Sequence, residues 1–340
     1  MINQYIFDIS KEHPVLARDE IISCLNAEEY QFKLVSASEN AVVIQSTLTE
    51  KQINHISSRL SMTFSIGKLL FKAPPNLSEI KTLAEKHPIE ITGSLAVQHK
   101  NRSLKFQSKP FLHAVADVYT SSRPVDLTNP DNIIFLLITD DHVYVSKKIR
   151  GINRGVFEER KAHLRPFFSP ISLHPKIART LVNIADVKSH NLLLDPFCGT
   201  GGFLIEAGLM NITVIGSDVS KDMIQGAQKN LKYYQIKPYS MIHSDITNLP
   251  DLLSIQVDAV VTDFPYGKAT STQGERLETL YNRAMKSIQS LLRPGGKAVV
   301  GTFSNELKEF DSKQMKHLTS YPLRVHRSLT RWFHVFERRP

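Results

Sequence analysis

The sequence predicts an α/β protein in which an α+β region precedes a doubly wound domain built on a mainly parallel sheet. Three observations support this fold class. Apolar β segments alternate with helical segments after residue 177. A glycine-rich turn at 195–202 joins one of those strands to a helix, and three prolines between residues 166 and 175 interrupt the chain before the alternation begins.

The composition limits the class of protein. The 340 residues, 41% of them hydrophobic, allow about two domains with a sizeable core. The formal charge of +9 favours a polyanionic partner such as nucleic acid. No apolar run reaches the roughly 20 residues of a membrane helix and no signal pattern is present, so we expect a cytoplasmic protein without a membrane partner. Cys24 and Cys198 predict neither a disulfide nor a metal site.

The N-terminal region reads as short strands and helices in alternation. The predicted strands span 5–9, 40–45, 90–98, 133–140 and 142–148, the last two forming a hairpin. The predicted helices span 14–25, 79–86 and 110–120. These elements predict one compact α+β unit or two small ones in series.

The C-terminal region begins after the proline-rich linker. Its predicted strands span 192–194, 213–216, 241–243, 259–262 and 297–302, and their apolar or β-branched composition suits strands buried on both faces. Its predicted helices span 178–185, 220–234 and 275–292. The alternating residues around Trp332 predict a final hairpin.

Three successive predicted strands each end in an aspartate, namely Asp195, Asp218 and Asp245. Glycines in the turn after Asp195 allow backbone amides to approach a nucleotide-like ligand. Asp218 follows Asp195 by about the spacing of a ribose-binding acid, and Asp245 can accept a hydrogen bond from an adenine amino group. Carboxylates repel phosphates but attract sulfonium and ammonium groups, and no Walker lysine is present. The pattern therefore predicts S-adenosylmethionine as the cofactor, ahead of NAD or ATP.

A second motif, Asp263-Phe264-Pro265-Tyr266-Gly267, follows the fourth predicted strand of this domain. Asp263 and a backbone carbonyl of the turn can accept the two N–H groups of an exocyclic base amine, which directs the nitrogen lone pair towards a methyl donor. Tyr266 offers a ring on which the base can stack. An ordinary turn would have a similar composition, but its combination with the acidic strand ends favours an amine-methylating site.

Basic residues concentrate just upstream of the glycine turn. The predicted RNA-binding residues are Lys147, Lys148, Arg150, Arg154, Arg160 and Lys161. Their excess over the acids Glu158 and Glu159 predicts contacts with phosphates.

With these motifs, the chain resembles the Rossmann-like class I methyltransferases that act on amines. It resembles most closely the archaeal THUMP-domain tRNA (guanosine-10, N2) methyltransferases, through 195–202, 263–267, 160–168 and Ser328-Leu329-Thr330-Arg331. The resemblance spans essentially the whole chain. It implies a ferredoxin-like N-terminal region at 1–60, a THUMP RNA-binding domain at 61–160, a linker at 161–176 and a methyltransferase domain at 177–340. It also implies tRNA as the partner.

The resemblance assigns roles to residues at matching positions. The implied cofactor contacts are Asp195, Phe197, Gly199, Gly201, Asp218, Val219, Asp245, Ile246 and Asp263. Asp263, Pro265 and Tyr266 would present the guanine. One departure is Phe264, which stands where the family usually has the first proline of its motif and predicts a less rigid turn.

Several alternatives stay open at this level. The same chemistry could act on another tRNA guanosine, such as position 6, and DNA adenine or protein glutamine methyltransferases share the second motif. A chain with these features could also serve as a non-catalytic tRNA-binding subunit. The sequence leaves open whether one or two methyl groups are added, whether a small activating protein subunit is needed, and the oligomeric state.

Overall fold

The computed structural model describes residues 2–170, 172–265, 276–303, 305, 307, 314–326 and 329–340. The chain divides into two compact units. The first contains Met1–Arg18, Tyr30–Ser58 and Met62–Asn153, and the second contains Asp19–Glu29, Arg59–Ser61 and Arg154–Pro340. In the described ranges, each unit has one seven-stranded sheet.

The first unit is an α+β arrangement. Its strands are β1 (Asn3–Ile9), β2 (Phe32–Ala37), β3 (Ala41–Ser46), β4 (Thr63–Ala73), β5 (Leu95–Asn101), β6 (Asn132–Ile138) and β7 (Val143–Gly151). They lie in the order β2-β3-β1-β4-β7-β6-β5. The helices are α1 (Pro14–Ala27), which continues into the second unit, α2 (Glu50–Arg59), α3 (Leu77–Lys86) and α4 (Ser108–Tyr119).

The core of this unit lies between the sheet and two helices. Ile80 of α3 and Phe111 and Val115 of α4 pack with Leu136 and Val145 of the sheet. The strands β5 and β6 are parallel, because α4 lies between them in sequence and provides the crossover that parallel strands require. The predicted α+β character of the N-terminal half is confirmed.

The second unit alternates strands and helices. Its helices are α5 (Gly155–Glu158), α6 (Pro175–Ile184), α7 (Gly202–Gly208), α8 (Lys221–Tyr233), α9 (Leu249–Leu252) and α10 (Leu277–Leu291). Its strands are β8 (Leu192–Asp195), β9 (Thr213–Asp218), β10 (Tyr239–His243), β11 (Val257–Asp263), β12 (Leu292–Thr302), β13 (Met315–His326) and β14 (Leu329–Arg338). The predicted mainly parallel sheet is confirmed, with order β10-β9-β8-β11-β12-β14-β13 and an antiparallel final hairpin.

The strand order positions a ligand site. The chain builds β9 and β10 on one side of β8 and then crosses to build β11 and β12 on the other side. Such a reversal opens a crevice at the carboxyl ends of the strands, where α/β proteins bind ligands. Asp195 ends β8, Asp218 ends β9 and Asp263 ends β11, so three aspartates lie at this edge.

A buried polar network belongs to the second unit. The carboxylate of Glu20 accepts hydrogen bonds from the amide of Asn183 at 3.0 Å and from the hydroxyl of Ser61 at 2.8 Å. The same Asn183 amide donates to the carbonyl of Arg59 at 3.0 Å. Glu20, Ser61 and Asn183 are 0% exposed, which explains why residues 19–29 and 59–61 belong with the C-terminal half.

Some elements differ from the sequence predictions. The strand predicted from residue 90 begins at Leu95, because Pro88 and Gly93, with φ of +85°, keep the preceding segment out of the sheet. The strands β2 and β4 and the helix α2 were not predicted. In the described part of the chain, no helix is long and apolar enough to span a membrane.

Candidate active site

The glycine turn connects β8 to α7. Gly199 and Gly201 have φ of +48° and +81°, a left-handed conformation that favours glycine. A Cβ on Gly201 would lie 3.3 Å from the Cβ of Ala227, whereas a Cβ on Gly199 would meet no described atom within 4 Å. The backbone is therefore open at Gly199, where a ligand can approach it closely.

Asp195 is the most buried acid of the site. Its side chain accepts a hydrogen bond from the hydroxyl of Thr262 at 2.7 Å, and the residue is 1% exposed. Burial raises the pKa of Asp195 to about 8, and the negative charges of Asp218 and Asp263 add to this rise. A cation bound near this carboxyl group would stabilise its ionised form and lower its pKa.

Asp218 fixes the glycine turn from the next strand. One of its carboxylate oxygens accepts the N–H of Gly199 at 3.0 Å, and the other accepts the N–H of Ser220 at 2.9 Å. Burial raises the pKa of Asp218 as well. The neighbouring Val219 accepts a hydrogen bond at its carbonyl from the ring of His243 at 2.9 Å.

Asp245 lies beyond the end of β10. Its carboxylate accepts the N–H of Thr247 at 2.9 Å and a hydrogen bond from Arg283. Burial acts to raise the pKa of Asp245, but the hydrogen bonds from Arg283 and Thr247 outweigh it and keep the pKa below its usual value. The side chain of the next residue, Ile246, packs in the core with Leu249 and is 1% exposed.

Asp263 ends β11 beside β12 and β14. Its Oδ2 lies 3.1 Å from Nη1 of Arg331, and its buried Oδ1 has no hydrogen-bond partner among the described residues. A Cβ on Gly301 would lie 2.4 Å from this Oδ1, so the carboxylate occupies space that only a glycine leaves. Burial raises the pKa of Asp263 to about 6, against the lowering effect of Arg331.

Phe264 and Pro265 follow Asp263. The N–H of Phe264 donates to the carbonyl of Gly301 at 2.9 Å, and its fully buried ring packs edge-on to Phe197 at 5.2 Å between centroids. On its other side the ring packs against Tyr281, whose hydroxyl donates to the carbonyl of Pro265 at 3.3 Å. Packing therefore holds the turn at the position where a proline was expected. Tyr266 lies outside the described residues.

The six basic residues fall into two sets. Lys147, Lys148 and Arg150 lie on β7 in the first unit, and Arg154, Arg160 and Lys161 lie in the second. The guanidinium of Arg160 is paired with the buried Glu206 at 2.8 Å, and Lys161 is paired with Glu158. RNA binding by these residues stays a prediction.

Four contacts of the site were not predicted from the sequence: those of Thr262 with Asp195, Tyr281 with Pro265, Arg283 with Asp245, and Arg331 with Asp263. Tyr281 and Arg283 lie on α10, far from their partners in sequence, and no local pattern identifies them. Thr262 directly precedes Asp263 on β11, which neighbours β8. Its position at the end of that predicted strand was the one sequence feature that could have placed it near Asp195.

The electrostatics of the site favour a cationic ligand. Burial keeps the pKa values of Asp195, Asp218 and Asp263 above their usual range. A sulfonium and an ammonium group next to these carboxyls would stabilise their ionised forms. The open backbone at Gly199 also leaves room for a ligand. The described residues thus fit S-adenosylmethionine.

Comparisons with known proteins agree with this chemistry. The family model for the UPF0020, RMKL-like methyltransferase domain matches residues 162–331. The tRNA (guanine(10)-N2)-dimethyltransferase of Methanothermobacter thermautotrophicus is 32% identical over 334 residues, covering 97% of this chain and 98% of that protein. Its counterpart in Pyrococcus abyssi is 37% identical over 226 residues, covering 65% of this chain and 67% of that protein.

Among solved structures, TrmN from Thermus thermophilus has the same fold, with a TM-score of 0.56 at 20% identity and coverage of 98% of this chain and 99% of that one. The predicted fold class, methyltransferase activity, S-adenosylmethionine dependence and family are confirmed. From the near full-length match to the Methanothermobacter thermautotrophicus protein, this chain belongs to the tRNA (guanine(10)-N2)-dimethyltransferase family.

Proposed function

We propose that this protein transfers methyl groups from S-adenosylmethionine to the N2 amine of guanosine 10 in tRNA, and that it adds two of them. The observation that carries this proposal is the buried Oδ1 of Asp263, which has no hydrogen-bond partner among the described residues. Such an oxygen needs a donor to offset its burial, and an exocyclic N–H supplies one. The activity matches the names of two relatives, of which one is matched over 97% of this chain and the other over 65%.

In this proposal Asp263 and the Phe264 carbonyl orient the amine. Each accepts one N–H, which directs the nitrogen lone pair away from the ring system and towards the methyl group. With a pKa of about 6, Asp263 is ionised at neutral pH and can accept the proton that the nitrogen loses as the transfer completes. Pro265 shapes the turn, and Tyr266 stacks on the base.

The cofactor would be held by residues at the carboxyl ends of the parallel strands. S-adenosylmethionine, when bound, supplies an electrophilic methyl group on a sulfonium. Asp218 would hold the ribose, and Asp245 and Ile246 with Val219 would face the adenosine. Asp195, Phe197, Gly199 and Gly201 would line the rest of the cofactor site. Support comes from the positions of the acids at neighbouring strand ends and from the raised pKa values of Asp195 and Asp218.

The N-terminal half would bind tRNA. We propose the division into 1–60, a THUMP domain at 61–160, a linker at 161–176 and a methyltransferase domain at 177–340. Lys147, Lys148 and Arg150, on β7, would contact tRNA phosphates, together with Arg154, Arg160 and Lys161. A cytoplasmic location, where tRNA is available, completes the proposal.

Labelled S-adenosylmethionine, the purified chain and an unmodified tRNA transcript test the activity. Mass spectrometry of the nucleosides is expected to give N2,N2-dimethylguanosine, lost when guanosine 10 is replaced and kept when guanosine 6 is replaced. The reverse dependence would place the activity at position 6. Monomethylguanosine as the final product would reject dimethylation.

The same assay addresses the remaining alternatives. Cofactor binding without methyl transfer by the chain alone, followed by activity after addition of a cell extract, would indicate a small activating subunit. No cofactor binding by calorimetry would favour a non-catalytic tRNA-binding subunit. Asp263→Ala is expected to abolish transfer and to leave cofactor binding within about threefold of the unchanged chain.

A further inference from the structure

Arg331 lies on β14, in the motif Ser328-Leu329-Thr330-Arg331 that has no role in the proposed chemistry. Its strand pairs with β12, so that Phe333 and Trp332 lie opposite Gly301 and Thr302. Arg331 is 4% exposed, and its Nη1 lies 3.1 Å from Oδ2 of Asp263. Burying a charged group is energetically costly. The burial of this guanidinium against Asp263, the acid of the motif at 263–267, therefore indicates a functional role.

We infer that Arg331 is a positioning residue that fixes the Asp263 carboxylate, so that Oδ2 is occupied and Oδ1 is left to accept the N–H of the target amine. This inference rests on the proposed role of Asp263. An unpaired carboxylate can rotate about its χ2 angle and offer either oxygen in several directions. An ion pair to one oxygen removes that freedom, so the other oxygen has a defined direction.

Arg331 also sets the charge of Asp263. Burial raises the pKa of Asp263 to about 6, and the positive charge of Arg331 opposes this rise. Among the described residues, the other titratable groups around Asp263 are Asp195, whose pKa of about 8 leaves its carboxyl mostly neutral at physiological pH, and Tyr281, whose pKa is raised to about 12 and which is also neutral there. Of these described neighbours, Arg331 is the one that favours the ionised carboxylate.

The pH dependence of methyl transfer tests this inference. Single-turnover rates would be measured from pH 5.5 to 8.5 with saturating tRNA and S-adenosylmethionine. Arg331→Met is expected to move the acidic limb of the rate profile upwards by at least about one pH unit, because the unpaired Asp263 stays protonated to a higher pH. At pH 6.5 the rate falls about threefold or more, and most of this loss is recovered at pH 8.5.

A conservative variant separates charge from geometry. Arg331→Lys keeps the positive charge but loses the planar fork of the guanidinium. We expect a smaller shift of the acidic limb than in Arg331→Met, together with a lower rate at the plateau. This variant also decides the question if Arg331→Met fails to fold.

A control pair exists on the same strand, β11. Arg293 pairs with Asp258 at 2.7 Å, where Asp258 lies near the start of β11, at the opposite end from Asp263. Arg293→Met also removes an arginine–aspartate pair but leaves the carboxyl edge intact. Its rate profile is expected to overlay that of the unchanged chain. Calorimetry should give cofactor dissociation constants within about twofold for all these variants.

A double-mutant cycle provides the second readout. In an Asp263→Asn background the side chain does not ionise, so adding Arg331→Met should change the remaining rate by less than about twofold. Unchanged pH profiles in both Arg331 variants, or fully additive effects in the cycle, would overturn the inference. Failure of the proposed function is distinct from this outcome, because the unchanged chain would then form no N2-methylated guanosine at position 10.

Discussion

At the scale of single residues, burial determines the chemistry of the carboxyl edge. Asp195 has a pKa of about 8, and that of Asp218 is also raised, because water is excluded from both. A carboxyl group binds a cation strongly only in its ionised form, so each of these groups must first lose its proton. Binding of a positively charged cofactor and release of a proton are therefore linked.

This linkage predicts that the affinity for S-adenosylmethionine rises with pH. Between pH 6.0 and 7.5 the dissociation constant should fall by about twentyfold, since ionised Asp195 binds the cation and the protonated form does not. Isothermal titration in two buffers of different ionisation enthalpy would detect the released protons. Asp195→Asn should flatten the pH dependence. A flat dependence in the unchanged chain would contradict the prediction.

The same pKa shift has a consequence for stability. Because the folded pKa of Asp195 is raised to about 8, its stabilising contribution is present below the unfolded pKa and is lost as the pH rises towards 8. Asp195→Asn should therefore be more stable than the unchanged chain at pH 8, by a few kcal/mol, and should lose this advantage at pH 4. Thermal melts at the two pH values measure the difference. Asp251→Asn, a substitution outside the site, serves as the control.

The residues of the site were predictable to different degrees. The strand-end aspartates Asp195, Asp218 and Asp263 are local signals, because each follows an apolar strand in sequence. The contacts of Arg331 and Tyr281 were not predictable, because they depend on which strand and helix become neighbours. The raised pKa values also require burial, which a motif does not specify.

At the scale of elements, α10 stabilises the turn that begins at Asp263, Phe264 and Pro265. Its Tyr281 packs against the ring of Phe264 and donates a hydrogen bond to the carbonyl of Pro265. The helix thereby replaces part of the rigidity that a second proline would give. The expectation of a less rigid turn concerned backbone freedom alone and did not include this packing.

Tyr281→Phe tests the contribution of this hydrogen bond. The ring contact with Phe264 remains, and the loss of one neutral hydrogen bond is expected to lower the methyl-transfer rate by about fivefold, with cofactor affinity unchanged. Tyr233→Phe, at an exposed position of α8, is the matched control. Equal rates for the two variants would show that the hydroxyl of Tyr281 does not support the turn.

Sequence patterns predicted elements unevenly. The buried parallel strands β8, β9 and β11 were predicted, because each is a short apolar run next to a glycine or an acid. β4 was missed, although it lies between β1 and β7 at the centre of the first sheet. Its alternation is broken by Gly67, where a Cβ would lie 2.8 Å from the hydroxyl of Ser146, and by two shifts in register with β7. The close approach at Gly67 and the register shifts depend on how β4 pairs with β7, which the sequence of β4 alone does not specify.

At the scale of the whole molecule, the catalytic half is not a continuous piece of chain. Residues 19–29 and 59–61 belong to the second unit and complete the buried network around Asn183. In a truncated chain of residues 154–340 the amide of Asn183 would lose both Glu20 and the carbonyl of Arg59. Each intramolecular hydrogen bond lost in this way removes about 0.5–1.5 kcal/mol of stability.

The truncated chain 154–340 is therefore expected to melt roughly 10 °C or more below the full chain, given the loss of several buried hydrogen bonds. Asn183→Leu should lower the melting temperature of the full chain far more than that of the truncated chain, because the truncated chain has already lost the partners of this amide. Differential scanning calorimetry of the four proteins measures both effects. Equal melting temperatures for the full and truncated chains would contradict this prediction.

The glycine at position 301 has a consequence for how related genes are interpreted. Its missing side chain provides the space that the carboxylate of Asp263 occupies. A related chain that keeps the aspartate of the motif but has alanine or a larger residue here would lack that space. The motif alone would then not show whether the carboxylate keeps its position. We expect position 301 to serve as a second sequence marker for chains that hold this aspartate as the present one does.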